Sequence, residues 1–272
     1  LLAWRFLPDN SQKSSAQRFD ITSAVMNALT FGLLLSALSG AAQGQDYRLI
    51  LAELLALLAI GTLFIRRQLT MDFPLLPVDL LRIPIFSLSI CTSICSFLAQ
   101  MLAMVSLPFF LQSVLGRSEV ETGLLLTPWP LATMVMSPIA GRLLERFHAG
   151  LLGGIGLAAF ACGLFALAWL PAAPADGDII WRMVLCGAGF GLFQSPNNHT
   201  IISAAPRHRS GGASGMLGTA RLLGQTSGAA LVALMFNLFD TQGTHVSLLL
   251  AGLFSSLAAL FSLSRLRQPS QR

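Results

Sequence analysis

The sequence predicts an all-α, polytopic membrane protein, and three observations support this fold class. Eight apolar stretches account for most of the 272 residues. Each is about 20 residues long, the length that a helix needs to cross the hydrocarbon core of a bilayer. Charged residues make up only 11% of the chain, whereas a typical soluble domain contains about 25%. The predicted spans are 20–41, 47–66, 85–111, 122–142, 150–170, 179–204, 212–238 and 245–265.

The basic residues predict how the spans are oriented. If residue 1 is cytoplasmic, the outer loops contain only Arg48 and Arg117. The inner segments then contain Arg5, Lys13, Arg18, Arg66, Arg67, Arg82, Arg142, Arg146, Arg207, Arg209, Arg265, Arg267 and Arg272. Such an excess of inner positive charge is typical of membrane proteins. We therefore expect both ends of the chain in the cytoplasm, and no nucleic-acid partner despite the net charge of +5.

The connection after the second span divides the chain. It combines charge, proline and a short amphipathic run, which is typical of a segment along the cytoplasmic interface. The first residue is not methionine and no signal peptide precedes the first span, so we expect a fragment whose upstream helices are missing. The predicted units are a cytoplasmic connector at 1–19, two transmembrane helices at 20–66, an interfacial linker at 67–84, a six-helix unit at 85–266 and a cytoplasmic tail at 267–272.

Polar side chains are unevenly distributed among the last six spans. The fifth span has almost none, and the eighth has only serines in its apolar body. Polar groups inside a membrane tend to face the bundle interior or a wet cavity. The third, fourth, sixth and seventh spans should therefore line a central space, with the fifth and eighth outside. Their polar residues are Gln100, Thr127, Gln194, Asn197, Asn198, Arg221 and Gln225.

Arg221 is the most informative of these residues. It lies about ten residues into its span, roughly 15 Å deep. A lone guanidinium at such depth costs at least about 2.5 kcal/mol, so partners are expected. Counting outward from the turn before the span places Gln194 at the same depth. We expect a cluster of Arg221, Gln194, Asn197, Asn198 and Gln225, acting either as a link between helices or as a wall of the substrate path.

Small residues at a spacing of four predict close helix contacts in the same region. The pairs are Gly187 and Gly191, Gly211 and Gly215, and Gly224 and Gly228. Trp129, between two prolines, is a candidate for stacking against a cationic ligand, although aromatic packing is the alternative.

Glu53 is the only carboxylate well inside a span. It is either an interfacial acid with access to water or a weak candidate for proton coupling. Asp20 opens the first span, where a carboxylate is expected to cap the helix. The four cysteines all lie in apolar spans and have no histidine at a zinc-ligand spacing. No metal site and no cofactor are predicted.

Five segments carry a resemblance to a known family: residues 107–116, 122–128, 141–150, 211–215 and 221–224. In this order and spacing they resemble the second half of a fourteen-helix drug:proton antiporter of the major facilitator superfamily. The similarity is to exporters of the methyl-viologen-resistance type from bacterial inner membranes, and it covers nearly the whole chain.

The resemblance implies an organisation for the whole transporter. The first two spans would be the helix pair inserted between two six-helix lobes, and the remaining six would be the C-terminal lobe. A missing N-terminal lobe would then be a partner of this chain. It would also carry the acids that move protons, since the glycine-proline motif of the antiporters' fifth helix is absent here.

The resemblance also implies a gating loop. Residues 141–150 are similar to the cytoplasmic loop motif Gly-x-x-x-Asp-Arg-x-Gly followed by two basic residues. Gly141 and Arg146 match, whereas Glu145 replaces the aspartate and His148 replaces the second glycine. The gating candidates are Gly141, Arg142, Glu145 and Arg146.

The implied function is export of amphipathic or quaternary cations, such as methyl viologen, in exchange for protons by alternating access across the bilayer. The candidate cavity residues are Gln100, Trp129, Gln194, Asn197, Asn198, Arg221 and Gln225. A transporter of a metabolite or organic anion is an alternative, because an anion would pair with Arg221. A non-transporting membrane partner is a second alternative. An enzyme is not predicted, because the sequence contains no His-Glu-x-x-His or Gly-x-Ser-x-Gly motif and no paired intramembrane carboxylates.

Overall fold

The computed structural model describes residues 20–71, 76–171 and 173–267. All regular secondary structure in these residues is helical. The α-helices are α1 (Ile21–Ala42), α2 (Tyr47–Thr70), α3 (Pro84–Phe109), α4 (Glu119–Leu126), α5 (Pro128–Leu143), α6 (Ala149–Ala168), α7 (Asp176–Ala204), α8 (Ser210–Phe239) and α9 (Gly243–Ser264). The all-α prediction is therefore confirmed. The predicted connector at 1–19 lies outside the described residues, as does the tail beyond residue 267.

Six stretches of the described chain are long and apolar enough to cross a membrane. The first five are α1, α2, the α3 region, α4 with α5, and α6, and the sixth covers both α8 and α9. The 29-residue helix α7 is not among them. The chain is therefore a multi-pass helical membrane protein, while the number of eight crossings stays a prediction.

Short polar side chains fix the starts of several helices, as expected for N-caps. The Asp20 carboxylate accepts a hydrogen bond from the Ser23 backbone N–H at 3.2 Å, so the predicted cap of α1 is confirmed. Asp46 does the same for α2. Ser118 and Glu121 form a capping box at α4. These caps define where α1, α2 and α4 begin.

Prolines accompany breaks in two of the eight predicted spans, 85–111 and 122–142. The predicted span 122–142 consists of α4 and α5, which meet at Thr127 before Pro128. Proline has no N–H and is well suited to the first position of a helix, which is where Pro128 stands in α5. Pro108 lies in the last turn of α3, and a π-helical turn at Phe110–Val114 follows.

Each long helix packs mainly on one or two others, in the order α5, α7, α6, α9, α3, α8, α1 and α2, and α3 also contacts α7. A series of edge-to-face aromatic contacts runs through the core. Phe97 of α3 contacts Phe190 of α7 at 5.4 Å between ring centroids, and Phe190 contacts Phe160 of α6 at 5.5 Å. Phe160 contacts Trp129 of α5 at 5.3 Å. These contacts join four helices around one core.

Glycines allow two of the helix contacts to be unusually close. A Cβ atom at Gly187 would lie 2.2 Å from a backbone oxygen of α5, and one at Gly224 would lie 2.5 Å from a backbone oxygen of α3. Both predicted close contacts are therefore confirmed. The prediction for Gly211 and Gly215 is wrong within the described part of the chain, because a Cβ atom at either position would have no neighbour there within 4 Å.

The predicted interfacial linker packs into the protein along part of its length. Helix α2 continues to Thr70, and residues 72–75 lie outside the described part. Leu76 and Leu80 are buried in an apolar cluster with Phe64 of α2 and Met216 of α8. These two leucines fill the space between the ends of α2, α3, α7 and α8. The position of the linker at the cytoplasmic interface stays a prediction.

Candidate functional site

A cavity of about 280 Å³, here called the aromatic cavity, lies among α3, α5, α7 and α8. It is lined by Phe97, Gln100, Met104, Trp129, Pro130, Thr133, Met134, Phe190, Gln194 and Arg221. These helices correspond to the third, fourth, sixth and seventh predicted spans. No described residue of α6 or α9 lines the cavity, as the uneven distribution of polar residues predicted.

Arg221 of α8 and Gln194 of α7 both line the aromatic cavity. The Arg221 guanidinium lies 5.2 Å from the centroid of the Phe97 ring, which is the distance of a cation–π contact. Arg221 is exposed in the chain, whereas Gln194 and Gln100 are half-buried. The structure therefore brings Arg221, Gln194 and Gln100 to one cavity, with an aromatic ring beneath the charge.

Trp129 borders the same cavity but its ring is packed in the core. The side chain is 1% exposed and meets Phe160 edge to face. Its indole Nε1 is buried and has no hydrogen-bond partner among the described residues. A tryptophan N–H can only donate, and a buried donor usually has a partner. Trp129 is therefore better placed to offer a hydrogen bond than to offer a ring face.

The predicted five-residue cluster does not form, because Asn197 faces a different side of α7. Three residues along a helix turn the side chain by about 60°, which separates Asn197 from Gln194. Asn197 is fully buried, and its amide donates to Ser93 Oγ at 2.8 Å and to the Ser89 carbonyl at 3.3 Å. Asn198 and Gln225 are half-buried and are not among the described residues that line the aromatic cavity.

Arg265 is the partner of Asn197, and its position corrects the prediction of an inner-loop residue. It is 1% exposed. Its Nη1 atom donates to Asn197 Oδ1 at 2.8 Å and to Ser89 Oγ at 2.9 Å. Nε donates to the Ser262 carbonyl at 3.3 Å, and Nη2 donates to Ser262 Oγ. The network joins the ends of α3, α7 and α9. Serines within these apolar spans were the only sequence signal for it.

Arg265 also lines a second cavity, of about 560 Å³, here called the arginine-end cavity. The start of α3, the connection from α5 to α6 and the ends of α7 and α9 meet there. Its lining residues are Ile83, Pro84, Ile85, Leu144, Phe147, His148, Ala149, Gly150, His199, Thr200, Ser203, Ala204 and Arg265. Sequence reasoning did not predict this cavity, since its residues are contributed by four separate segments.

The predicted gating residues lie near this end of the bundle. Gly141 is in α5, where a Cβ atom would be 4.0 Å from Ser195 Oγ of α7. Arg142, Glu145 and Arg146 are exposed at the end of α5 and in the turn after it. None of them takes part in an ion pair within the part of the chain that the structure describes.

Glu53 belongs to α2, and its side chain contacts α1. Its Oε1 atom accepts a hydrogen bond from Ser36 Oγ at 2.6 Å. The other carboxyl oxygen, Oε2, is buried without a partner among the described residues. The aromatic cavity is lined by other helices, so Glu53 does not belong to that site.

An apolar helical bundle with glycine-mediated contacts and an open cavity that mixes aromatic and polar side chains is typical of a membrane transporter. The chain belongs to the Major Facilitator Superfamily, whose family model matches residues 1–229. It is 71% identical over 272 residues to the uncharacterized transporter YebQ of Escherichia coli (strain K12), covering all of the chain and 60% of that relative.

Two more distant relatives have names that refer to multidrug resistance or multidrug efflux. The chain is 27% identical to the multidrug resistance protein Stp of Mycobacterium tuberculosis over 82% of the chain and 42% of the relative. It is also 27% identical to the multidrug efflux pump LfrA of Mycolicibacterium smegmatis, over 90% of the chain and 49% of the relative. The chain thus spans about two fifths to three fifths of the length of these proteins. The family and the relatives are transporters rather than enzymes.

Proposed function

We propose that this chain is part of an efflux transporter that exports amphipathic drugs, including quaternary cations such as methyl viologen, in exchange for protons. In this proposal α1 and α2 form an inserted helix pair and the remaining helices form the C-terminal lobe of a fourteen-helix antiporter. The chain would cross a bacterial inner membrane eight times, with both ends in the cytoplasm. A second lobe would complete the substrate path.

The aromatic cavity is the observation that carries this proposal. Apolar, sulfur-containing and aromatic side chains form most of its wall, with two amides and one guanidinium among them. Such a wall suits amphipathic molecules of varied shape, since contact with rings and methylene groups requires little directional matching. The names of two relatives, a multidrug resistance protein and a multidrug efflux pump, support the same class of substrate.

The exposed face of α5 supports the presence of a second lobe. Leu131, Met134 and Val135 are each at least half exposed, and Met134 also borders the aromatic cavity. An exposed apolar face of a membrane helix contacts either lipid or another helical unit, and the polar groups of the adjoining cavity favour a helical unit here. A second lobe that covers this surface would enclose the cavity between two walls, which is the arrangement that alternating access requires.

Proton coupling would reside mainly outside this wall. The described lining of the aromatic cavity contains no carboxylate and no histidine. Glu53 keeps its place as a weak candidate, because one of its oxygens is buried without a partner in the described residues. Acids in the second lobe would carry the exchanged protons and attract the cation.

An organic anion, or a neutral compound rich in hydrogen-bond acceptors, is the second candidate substrate. The cavity offers donors in Arg221 and in the Trp129 indole, whose Nε1 is buried without a partner in the described residues. An acceptor on the substrate could pair with Arg221, which is exposed in the chain. This charge is the observation that supports an anion or metabolite as the alternative substrate.

Transport measurements on Arg221→Gln in the complete gene product decide between the two. Cells that lack their own drug exporters would express the wild type, Arg221→Gln or Arg207→Gln. Arg207→Gln removes the same charge from an exposed position in the turn between α7 and α8. If the substrates are cations, the wild type protects against methyl viologen and ethidium, an uncoupler abolishes this protection, and Arg221→Gln keeps or increases it.

The opposite pattern identifies an anion transporter. Wild-type cells would then extrude a fluorescein-type anionic dye but not ethidium, and Arg221→Gln would reduce dye export about tenfold while Arg207→Gln would not. Failure of the complete protein to move either dye would contradict transport of both classes. We expect the present chain expressed alone to give no protection, since it would provide one wall of the path.

A further inference from the structure

Arg265 carries a positive charge into the protein interior, and no carboxylate among the described residues forms an ion pair with it. It makes four hydrogen bonds, and the acceptors are two hydroxyls, an amide oxygen and a backbone carbonyl. All four acceptors are neutral. A guanidinium has five N–H groups, so one N–H of Nη2 has no acceptor among the described residues. Burying a charge is costly unless an opposite charge compensates it.

The described carboxylates do not supply this compensation. Their ion pairs involve Arg67, Arg117, Arg182 and Arg209, and none involves Arg265. The described lining of the arginine-end cavity also contains no aspartate or glutamate. The side of Arg265 that borders this cavity is therefore where a negative group can approach.

Two histidines and a helix start add polar groups to the wall of the cavity. His148 accepts a hydrogen bond from the Gly150 backbone N–H at its Nδ1 atom, at 3.0 Å. A ring that accepts at Nδ1 carries its proton on Nε2, which leaves Nε2 as a donor. His199 is an exposed lining residue from α7. The 20-residue helix α6 begins in the same wall, and the start of a helix favours an anion.

We propose that the arginine-end cavity binds a phosphate group, with Arg265 as its charge partner. The phosphate would belong to an anionic phospholipid or to a soluble phosphate compound, since both present the same oxygens. The cavity volume of about 560 Å³ leaves room for substituents on the phosphate. Phe147, which is 48% exposed, and Leu144 form apolar parts of the wall beside the polar groups. This binding does not depend on which substrate the transporter moves.

Lipid binding to the complete gene product tests the proposal. Native mass spectrometry in detergent would compare phosphatidylglycerol with phosphatidylcholine for the wild type, Arg265→Gln and Arg267→Gln. Arg267 is exposed two residues further along the chain, so its variant removes the same charge from the surface. We expect the wild type to prefer phosphatidylglycerol, Arg265→Gln to bind it about tenfold more weakly, and Arg267→Gln to match the wild type.

A competition step identifies the source of the phosphate. Displacement of phosphatidylglycerol by inorganic phosphate at millimolar concentration shows that a free phosphate also binds. Retention of the lipid under the same conditions shows that the acyl chains are part of the ligand. Equal binding of the two lipids by the wild type, together with no detectable phosphate binding, overturns the proposal. Equal losses in Arg265→Gln and Arg267→Gln also overturn it, because they would indicate a general effect of surface charge.

Two further variants keep the test decisive if Arg265→Gln does not fold. Arg265→Lys retains the charge and should retain the preference for phosphatidylglycerol. His199→Gln changes an exposed side chain and should weaken binding about threefold, while His245→Gln, at the opposite end of the bundle, should not change it. Wild-type affinity in His199→Gln together with lost preference in a folded Arg265→Lys would contradict a site built on these two residues.

Discussion

Arg221 lies in α8 and Arg265 lies directly after α9, and the surroundings of the two arginines differ. Arg221 is exposed in the chain and lies over the Phe97 ring, whereas Arg265 is 1% exposed and is held by four hydrogen bonds. The contact with the Phe97 ring does not use the N–H groups of the Arg221 guanidinium, so Arg221 can still donate hydrogen bonds to a ligand. The hydrogen-bonded Arg265 is positioned by the fold and has one N–H left. The difference separates a residue available to a substrate from a residue that first supports the structure.

Neutral, apolar replacements of the two arginines should give the largest contrast. Arg265→Met leaves the acceptors on Asn197, Ser89 and Ser262 without a donor, which should lower the free energy of unfolding by about 3 kcal/mol. Arg221→Met should change it by less than about 0.5 kcal/mol, as is usual for an exposed position. Denaturant unfolding in detergent measures both values. Equal destabilisation would mean that the two arginines have the same structural role.

New carboxylates beside each arginine should sharpen the comparison. Asn197→Asp places a carboxylate at the position that now accepts from Arg265 Nη1 at 2.8 Å, so the charge no longer requires an external anion. We expect phosphatidylglycerol binding to fall about tenfold while the fold is retained. Native mass spectrometry measures this change, and unaltered lipid binding would contradict it.

The matched change in the aromatic cavity is Gln194→Glu. Gln194 lines the same cavity as Arg221, and a carboxylate there would partly neutralise the guanidinium and attract a cation. We expect export of ethidium to increase about threefold relative to wild type, with lipid binding unchanged, because charge-assisted contacts contribute most where water is excluded. An increase in export of the anionic dye would be the opposite result.

Removal of the ring beneath Arg221 should have a smaller effect on stability. Phe97→Leu loses the cation–π contact and the edge-to-face contact with Phe190, while retaining much of the apolar volume. The expected loss is about 1 kcal/mol, from the usual magnitude of such contacts. Phe109→Leu, at a position that is 53% exposed, provides the control. A similar loss in both variants would show that the core position of Phe97 has no special contribution.

The smallest effect is expected at the ion pair between Asp79 and Arg209. Both Nη atoms of Arg209 donate to the Asp79 carboxylate, and this hydrogen bonding lowers the pKa of that carboxyl from its usual 3.8. A lowered pKa stabilises the fold at pH values above 3.8, and the contribution is lost as the pH falls through and below that value. The Asp79 side chain is 39% exposed, so solvent screening limits the contribution to about 0.5 kcal/mol.

Asp79→Asn should therefore lower the unfolding temperature slightly at pH 7 and by less at pH 3, which lies below the usual pKa of 3.8. Glu145→Gln changes an exposed carboxylate that has no ion pair among the described residues, and it should have no effect at either pH. Thermal unfolding at both pH values measures the difference. An effect of Asp79→Asn that does not depend on pH would contradict an electrostatic origin.

Local sequence signals predicted much of the fold because membrane helices follow simple rules. Apolar length, proline and capping residues each act within a few positions, and so do the glycines at positions 187 and 224. The same reasoning placed Arg221 and Gln194 at one depth, and both line the aromatic cavity. It failed at Gly211 and Gly215, since a spacing of four does not show whether another helix passes nearby.

The sequence by itself determined that the chain is helical, apolar and built around a few polar residues, because helix formation in lipid depends on composition and short-range pattern. Only the tertiary structure decided that Asn197 and Arg265 belong together, since they are 68 residues apart and their contact depends on how α7 and α9 are rotated. The arginine-end cavity was decided in the same way. A charge count placed Arg265 in a loop, but the final turn after α9 brings it between three helix ends, where hydroxyls and an amide replace water.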